Sequence, residues 1–181
     1  MTKEDGREAI ILVDSRGRTL GIGDKTACHR GAGILHMAFL VIIFNDKGEL
    51  LLARRSKHKA LWPGYWDGTI ASHYHPAEDR MARVRDRVFE ELGIRCERVD
   101  RLFNFLYQAA YREVGSEYEL CDVYVAQGID AGRIAPDGKE ISECRLLSLK
   151  DLSKEAPLHH QDWTPWFRIA LETYTRTSPP E

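Results

Sequence analysis

Apolar and polar positions fall along this chain in blocks that predict most of its elements. Ala9 to Val13 is a short apolar run ending in Asp14-Ser15-Arg16-Gly17, which reads as a strand and a turn. A polar stretch, Gly23 to Gly33, follows. Leu35 to Phe44 is then almost continuously apolar and reads as a strand. Asn45-Asp46-Lys47-Gly48 is a turn and Leu50 to Ala53 the returning strand, so the pair predicts a hairpin. Asp67 to His75 reads as strand or loop. Met81, Val84, Val88 and Leu92 repeat at helical spacing and predict a helix over Ala77–Leu92. Pro76 precedes it, Glu78 and Asp79 fall in its expected first turn, and Gly93 closes it. Leu102 to Tyr111, Tyr118 to Ala126 and Arg145 to Leu149 read as strands. A last helix is expected over Asp162 to Tyr174, with Pro165 in its first turn. The sum is a mixed α/β (α+β) chain. We expect one domain over residues 1–181, with 1–7 and 175–181 as flexible ends.

Composition narrows the class. With 181 residues, 43% hydrophobic and 30% charged, the chain can bury a sizeable core as one globular unit. The net charge of −2 offers no basic field for nucleic acid. The longest apolar run, Met37 to Phe44, is too short to span a bilayer, and Met1 to Gly6 lacks an apolar signal region. A cytoplasmic protein is expected, with no nucleic-acid or membrane partner. Cys28, Cys96, Cys121 and Cys144 form no CxxC pair, so free thiols packed as small hydrophobes are expected.

The helix over Ala77–Leu92 carries the first candidate chemistry. Glu90 and Glu91 sit side by side near its end, with Glu78 some turns earlier. Carboxylates on a helix beside a loop can hold Mg²⁺ against a diphosphate, and the alternative is a solvated acidic face. The run Glu90-Glu91-Leu92-Gly93-Ile94 resembles the end of the Nudix box. The box is degenerate here: its first glycine falls on Ser72 and its Arg-Glu on Asp86-Arg87.

The chain as a whole resembles the type 1 isopentenyl-diphosphate isomerases of the Nudix superfamily, from about Ala9 to Leu171. The resemblance rests on several separated motifs in order. They are Lys25-Thr26-Ala27-Cys28-His29, Leu35-His36-Met37-Ala38-Phe39, the run from Arg54 to Gly64, Glu117-Tyr118-Glu119-Leu120-Cys121 and Trp163-Thr164-Pro165-Trp166. It implies a Nudix fold, a mixed sheet between helices. It also implies metal ligation by His29, His36, His73, Glu117 and Glu119, a mixed nitrogen and oxygen set suited to Mn²⁺, Mg²⁺ or Zn²⁺. Lys25, Arg55, Lys59 and Arg87 match residues that grip the substrate's diphosphate, and Glu91 matches a contact to a Mg²⁺ carried in with it. Trp66, Tyr107 and Trp166 match aromatics around the prenyl tail, where ring faces stabilise a carbocation. Glu119, with Tyr107 beside it, matches the acid–base group on one face of the substrate.

The chain departs from the family at the other face. Ala71 stands at the position of the catalytic cysteine, and Gly68 where an asparagine is usual. Alanine neither donates nor accepts a proton. Ser72, His75 and Cys28 are substitutes only by proximity, and strand alternation would point Ser72 the other way. Three functions stay open. The first is isomerase-like chemistry on isopentenyl, dimethylallyl or a related prenyl diphosphate. The second is Nudix hydrolysis of a prenyl or nucleoside diphosphate, with Glu90 or Glu91 as base. The third is non-catalytic diphosphate binding, against which the complete ligand set argues. The expected partner is a small-molecule diphosphate, and the expected state a monomer or homodimer.

Overall fold

The computed structural model describes residues 8–96 and 98–177, with the side chains of 156–160 left out. The end expected to be flexible at 1–7, and residues 178–181 of the other, lie outside the described residues.

Among the described residues nine strands form one mixed sheet: β1 (Ala9–Val13), β2 (Thr19–Asp24), β3 (His36–Asn45), β4 (Leu50–Arg55), β5 (Trp66–Gly68), β6 (Ile70–His73), β7 (Val99–Tyr111), β8 (Gly115–Ile129) and β9 (Ile141–Leu147). Strand β3 is the hub. It pairs antiparallel with β6 and parallel with β8, and makes single antiparallel contacts with β1 and β4. Strand β4 carries β5 and β9. The helices are α1 (Lys25–Cys28), α2 (Arg80–Leu92), α3 (Leu149–His159) and α4 (Pro165–Thr177).

Every residue of β3 is buried because both faces are covered. Its Met37, Phe39, Val41 and Ile43 pack with Val84, Val88 and Leu92 of α2. Its Ala38, Leu40, Ile42 and Phe44 pack with Trp166, Phe167, Ala170 and Leu171 of α4. The sheet is thus sandwiched between helices. Among the described residues no helix is long and apolar enough to cross a membrane.

Several expected boundaries move. Helix α2 begins at Arg80, because Asp79 is its N-cap and its carboxylate accepts from the Ala82 amide at 2.8 Å. Ala77 has φ 63°, so Ala77 and Glu78 belong to the turn before the helix. Gly93 closes the helix in the left-handed region at φ 69°, as expected. Helix α4 starts at Pro165 and runs through Thr177, so 175–177 are helical rather than part of a loose tail. The expected strand Arg145–Leu149 is β9, shifted to Ile141–Leu147. Strand β2 and helices α1 and α3 were not expected at all.

Candidate active site

The site forms where the sheet's strands start and end near α1. Asp24 caps α1, its carboxylate accepting from the Ala27 amide at 2.9 Å, and this short helix presents Lys25 and His29. His36 opens β3, directly paired with Glu119 of β8. His73 ends β6, paired with Ala38. Glu117 and Glu119 alternate along β8 and so share a face. The result is one cluster: ligand atoms of His29, His36, His73, Glu117 and Glu119 all lie within 4.8 Å of one another.

The cluster's chemistry fits a bound cation. The Nδ1 atoms of His29 and His36 lie 2.6 and 2.7 Å from the backbone carbonyls of Lys25 and Ile34. Those contacts fix each ring with Nδ1 as the donor and leave Nε2 to coordinate. His36 is fully buried, and its Nε2 has no hydrogen-bond partner, an arrangement that is costly unless something else fills it. Burial, together with the neighbouring His36 and Lys25, pushes the His73 imidazole well below its ordinary range, into the neutral form that ligates. Burial would lower His29 too, but the hydrogen bond and charge of Glu117 outweigh it and hold it up at about 9. Three imidazoles and two carboxylates packed this closely suit a divalent metal.

Tyr107 of β7 lies opposite Glu119 in the β7–β8 ladder, and its hydroxyl donates to Glu119 Oε2. Burial would raise the Glu119 carboxyl, yet His36 and the Tyr107 hydroxyl hold it below its usual value. Burial, with the charge of Glu119, keeps the Tyr107 hydroxyl protonated far above its ordinary range. The pair is a carboxylate with a fixed proton donor.

A cavity of about 510 Å³ opens from this cluster. Lys25, Arg55, Lys59 and Arg87 line it, together with Tyr107, Glu119, Trp166 and Ala71. Arg55 is anchored through Nε to the Trp62 carbonyl at 3.1 Å and through Nη2 to the Leu61 carbonyl at 2.8 Å. Glu91 stands behind Arg87, which donates to it, in a small adjoining pocket shared with Arg55 and Lys59. It is 3% exposed, and burial raises its carboxyl while Arg87 opposes the rise.

Trp66, expected beside the prenyl tail, is not among the residues lining the cavity. Its ring packs against the apolar cluster that includes Tyr107 and Trp166, with Arg54 and Arg145 at 5.8 and 5.5 Å from it. Of the substitutes for the missing thiol, His75 is engaged with Glu8 at 3.1 Å and Glu78 at 3.3 Å, outside the cavity. Cys28 is 1% exposed and also off the cavity lining. Ser72 pairs with Phe39 of the α2-facing set, and both residues also border the cavity. Gly68 has a packing reason: the Phe167 ring fills the space where a Cβ would go.

Four residues at the site escaped the sequence. Glu8 accepts from Lys25 Nζ at 2.7 Å. Glu140 joins Lys59 to Arg87, 3.4 Å from the latter's Nη2. Cys121 lines the cavity, with burial pushing its thiol far up. Asp67 lies 3.4 Å from Arg55 Nη1. Position 121 was legible as the end of the Glu117–Cys121 motif. The other three lie outside the quoted motifs.

Comparison with known proteins agrees with this geometry. The chain matches the NUDIX domain over residues 34–167. It is 35% identical over 162 residues to the isopentenyl-diphosphate Delta-isomerase 1 of Photorhabdus laumondii, an alignment covering 89% of this chain and 91% of that one. Among solved structures, it resembles a Deinococcus radiodurans protein with a TM-score of 0.67 at 19% identity, over 83% of this chain and 90% of that one. It resembles a MutT NUDIX hydrolase from Burkholderia pseudomallei with a TM-score of 0.60 at 26% identity, over 76% of this chain and 96% of that one. The chain belongs to the Nudix family and, within it, to the isopentenyl-diphosphate Delta-isomerase-like enzymes.

Proposed function

We propose that the protein binds isopentenyl, dimethylallyl or a related prenyl diphosphate and exchanges a proton with its alkene from the Glu119–Tyr107 side. The observation that carries this reading is that one cavity gathers four cations, Lys25, Arg55, Lys59 and Arg87, together with Glu119, Tyr107 and Trp166. Lys25, Arg55, Lys59 and Arg87 would hold the diphosphate, with Glu91 toward a Mg²⁺ carried by it. His29, His36, His73, Glu117 and Glu119 would hold Mn²⁺, Mg²⁺ or Zn²⁺, which supplies fixed positive charge beside the Glu119 carboxylate. Glu119 and Tyr107 would transfer the proton, and Trp166 would face the positive charge that forms on carbon.

Ala71 lines the cavity across β3 from Glu119 and brings no proton-transfer group. Protonation is therefore retained and its complement on the opposite face is lost. Incubation with isopentenyl diphosphate, Mg²⁺ and Mn²⁺ in D₂O tests this split. Deuterium is expected in recovered isopentenyl diphosphate, with dimethylallyl diphosphate forming more slowly. Calorimetry that found tight nucleotide binding and no prenyl diphosphate binding would sink the substrate assignment.

A second reading, diphosphate hydrolysis, is favoured by one observation. Glu91 and Glu140 flank Arg87 and Lys59, so carboxylates stand beside the cations that would hold a diphosphate. Hydrolysis needs no thiol at position 71, and the Burkholderia relative is a hydrolase. Release of free phosphate in the same incubation, with no deuterium in the substrate, would select it.

A further inference from the structure

His73 differs from the two other imidazoles of the cluster. The Nδ1 atoms of His29 and His36 each meet a backbone carbonyl, but Nδ1 of His73 has no hydrogen-bond partner among the described residues. Its Nε2 lies 3.0 Å from Glu119 Oε1, so the ring is aimed at the cluster while its other nitrogen is unheld. A metal-bound histidine ordinarily owes its orientation to that second hydrogen bond. The backbone offers His73 little in exchange. It is the last residue of the four-residue strand β6, and its pairing with Ala38 is the last rung of the β3–β6 ladder. Its carbonyl meets Arg83 Nε only at 3.4 Å. The end of a short strand frays unless something fixes it.

Tyr74, the next residue, supplies the fixing. It is 1% exposed, and its hydroxyl donates to Asp122 Oδ2 at 3.0 Å. Asp122 belongs to β8, three residues beyond Glu119, and pairs with Phe39 of β3. Strands β6 and β8 each pair with β3 and, among the described residues, not with each other. The Tyr74–Asp122 bond therefore ties the strand of His73 directly to the strand of Glu119, beside the Phe39 ring at 4.9 Å from that of Tyr74. Neither Tyr74 nor Asp122 lines the cavity.

The far end of the tie is itself held. Arg101 donates to Asp122 Oδ1 through Nε at 3.0 Å and Nη2 at 2.6 Å, and Arg80 Nη1 lies 3.8 Å from Oδ2. The Tyr124 hydroxyl is 2.8 Å from that of Tyr74. A carboxylate that is 1% exposed is costly to keep, and apolar residues of similar size often serve stability as well. What a charged, directional bond adds is a fixed register, and here it fixes two strands that carry members of the cluster.

We propose that Tyr74 and Asp122 are positioning residues for the metal cluster: their hydrogen bond ties the end of β6 to β8 and holds the His73 imidazole against Glu119, in place of the ring hydrogen bond that His29 and His36 have. The proposal rests on the metal-binding reading above and adds to it two residues outside the cluster and the cavity.

Mn²⁺ affinity without any diphosphate tests it, read from the free-ion signal in electron paramagnetic resonance. Tyr74→Phe keeps the ring and removes the tie. It is expected to weaken Mn²⁺ binding about tenfold in folded protein, the lower end of the range for a group that orients a ligand. In a His73→Ala background the same change is expected to move the affinity by less than about twofold, because the residue it acts through is gone. A merely structural role would weaken binding equally in both backgrounds, and that result overturns the proposal. Unchanged affinity in folded Tyr74→Phe overturns it too and leaves the metal-binding reading standing. Wild-type protein that binds no Mn²⁺ overturns that reading, and this proposal with it. If His73→Ala binds too weakly to titrate, Tyr124→Phe takes its place as the reference. It strips a hydroxyl from the same network but leaves the tie, and a loss as large as that in Tyr74→Phe overturns the proposal. If Tyr74→Phe does not fold, Asp122→Asn removes the charge that receives the hydroxyl proton, and unchanged Mn²⁺ affinity there overturns the proposal.

Discussion

At the scale of single residues, one substitution divides the site. Ala71 sits in β6 on the same face as His73, two positions along, and its methyl group points into the cavity. A thiol there meets no backbone rearrangement. Ala71→Cys is expected to raise the rate of isopentenyl to dimethylallyl diphosphate conversion at least about tenfold, the lower part of the range for a positioned acid or base. The check is product formation at matched metal content, and a rate unchanged from wild type would locate the defect elsewhere. Four members of the five-residue cluster were legible because they lie in motifs, His29 in Lys25–His29, His36 in Leu35–Phe39 and Glu117 and Glu119 in Glu117–Cys121. Asp67 was passed over because nothing local marks it. Its meaning lies in Trp166 and Arg55, and only folding brings those together.

At the scale of elements, α2 runs from the cap at its start to Arg87 in the cavity lining. Arg83 and Arg87 project from it beside Glu90 and Glu91. The Asp79 cap holds its first turn. Asp79→Ala is expected to lower unfolding free energy by about 1 kcal/mol, measured by urea denaturation, with no change in metal content. A loss of metal would mean that α2 supports the His73 end of the site more directly than its position suggests. The long apolar run of β3 and the stripe of α2 were readable because burial on the core side leaves a periodic mark. Strand β2 leaves none: its Leu20 and Ile22 are 69% and 63% exposed, and its glycines break the alternation. Helix α3 carries a Pro, and among its described side chains Leu152 is fully buried. Its shallow pattern gave no signal to read.

At the scale of the whole molecule, a few ion pairs tie remote segments across the cavity mouth. Glu8 links the start of β1 to Lys25 on α1 at 2.7 Å and to His75 after β6 at 3.1 Å. Burial would raise its carboxyl, but Lys25 and His75 bring it down from 4.5 to about 2. A carboxylate with a depressed pKa in the fold adds stability above its unfolded value, and loses it as pH falls through the folded one. Glu8→Gln is therefore expected to be less stable than wild type near pH 7, with the gap closing between about pH 4.5 and 2. Urea midpoints across that range check it, and a gap that persists in acid would remove the ion pair as its cause. The architecture of a mixed sheet between helices was legible from the order of elements and from the family motifs. The pairing that makes β3 its hub was not, because strand order depends on long-range closure.

That closure bears on how the protein matures. His36 and Glu119 become neighbours only when β3 and β8 align in parallel, with β4, β5, β6, α2 and β7 lying between them in the chain. Such pairings form late, since the entropy of a long loop must be lost before any contact repays it. A chain emerging from synthesis therefore holds His29 and His36 without Glu117 and Glu119 beside them. On the metal-binding reading proposed above, the five-residue cluster would be complete only once β3 and β8 have paired, so metal uptake would report that pairing.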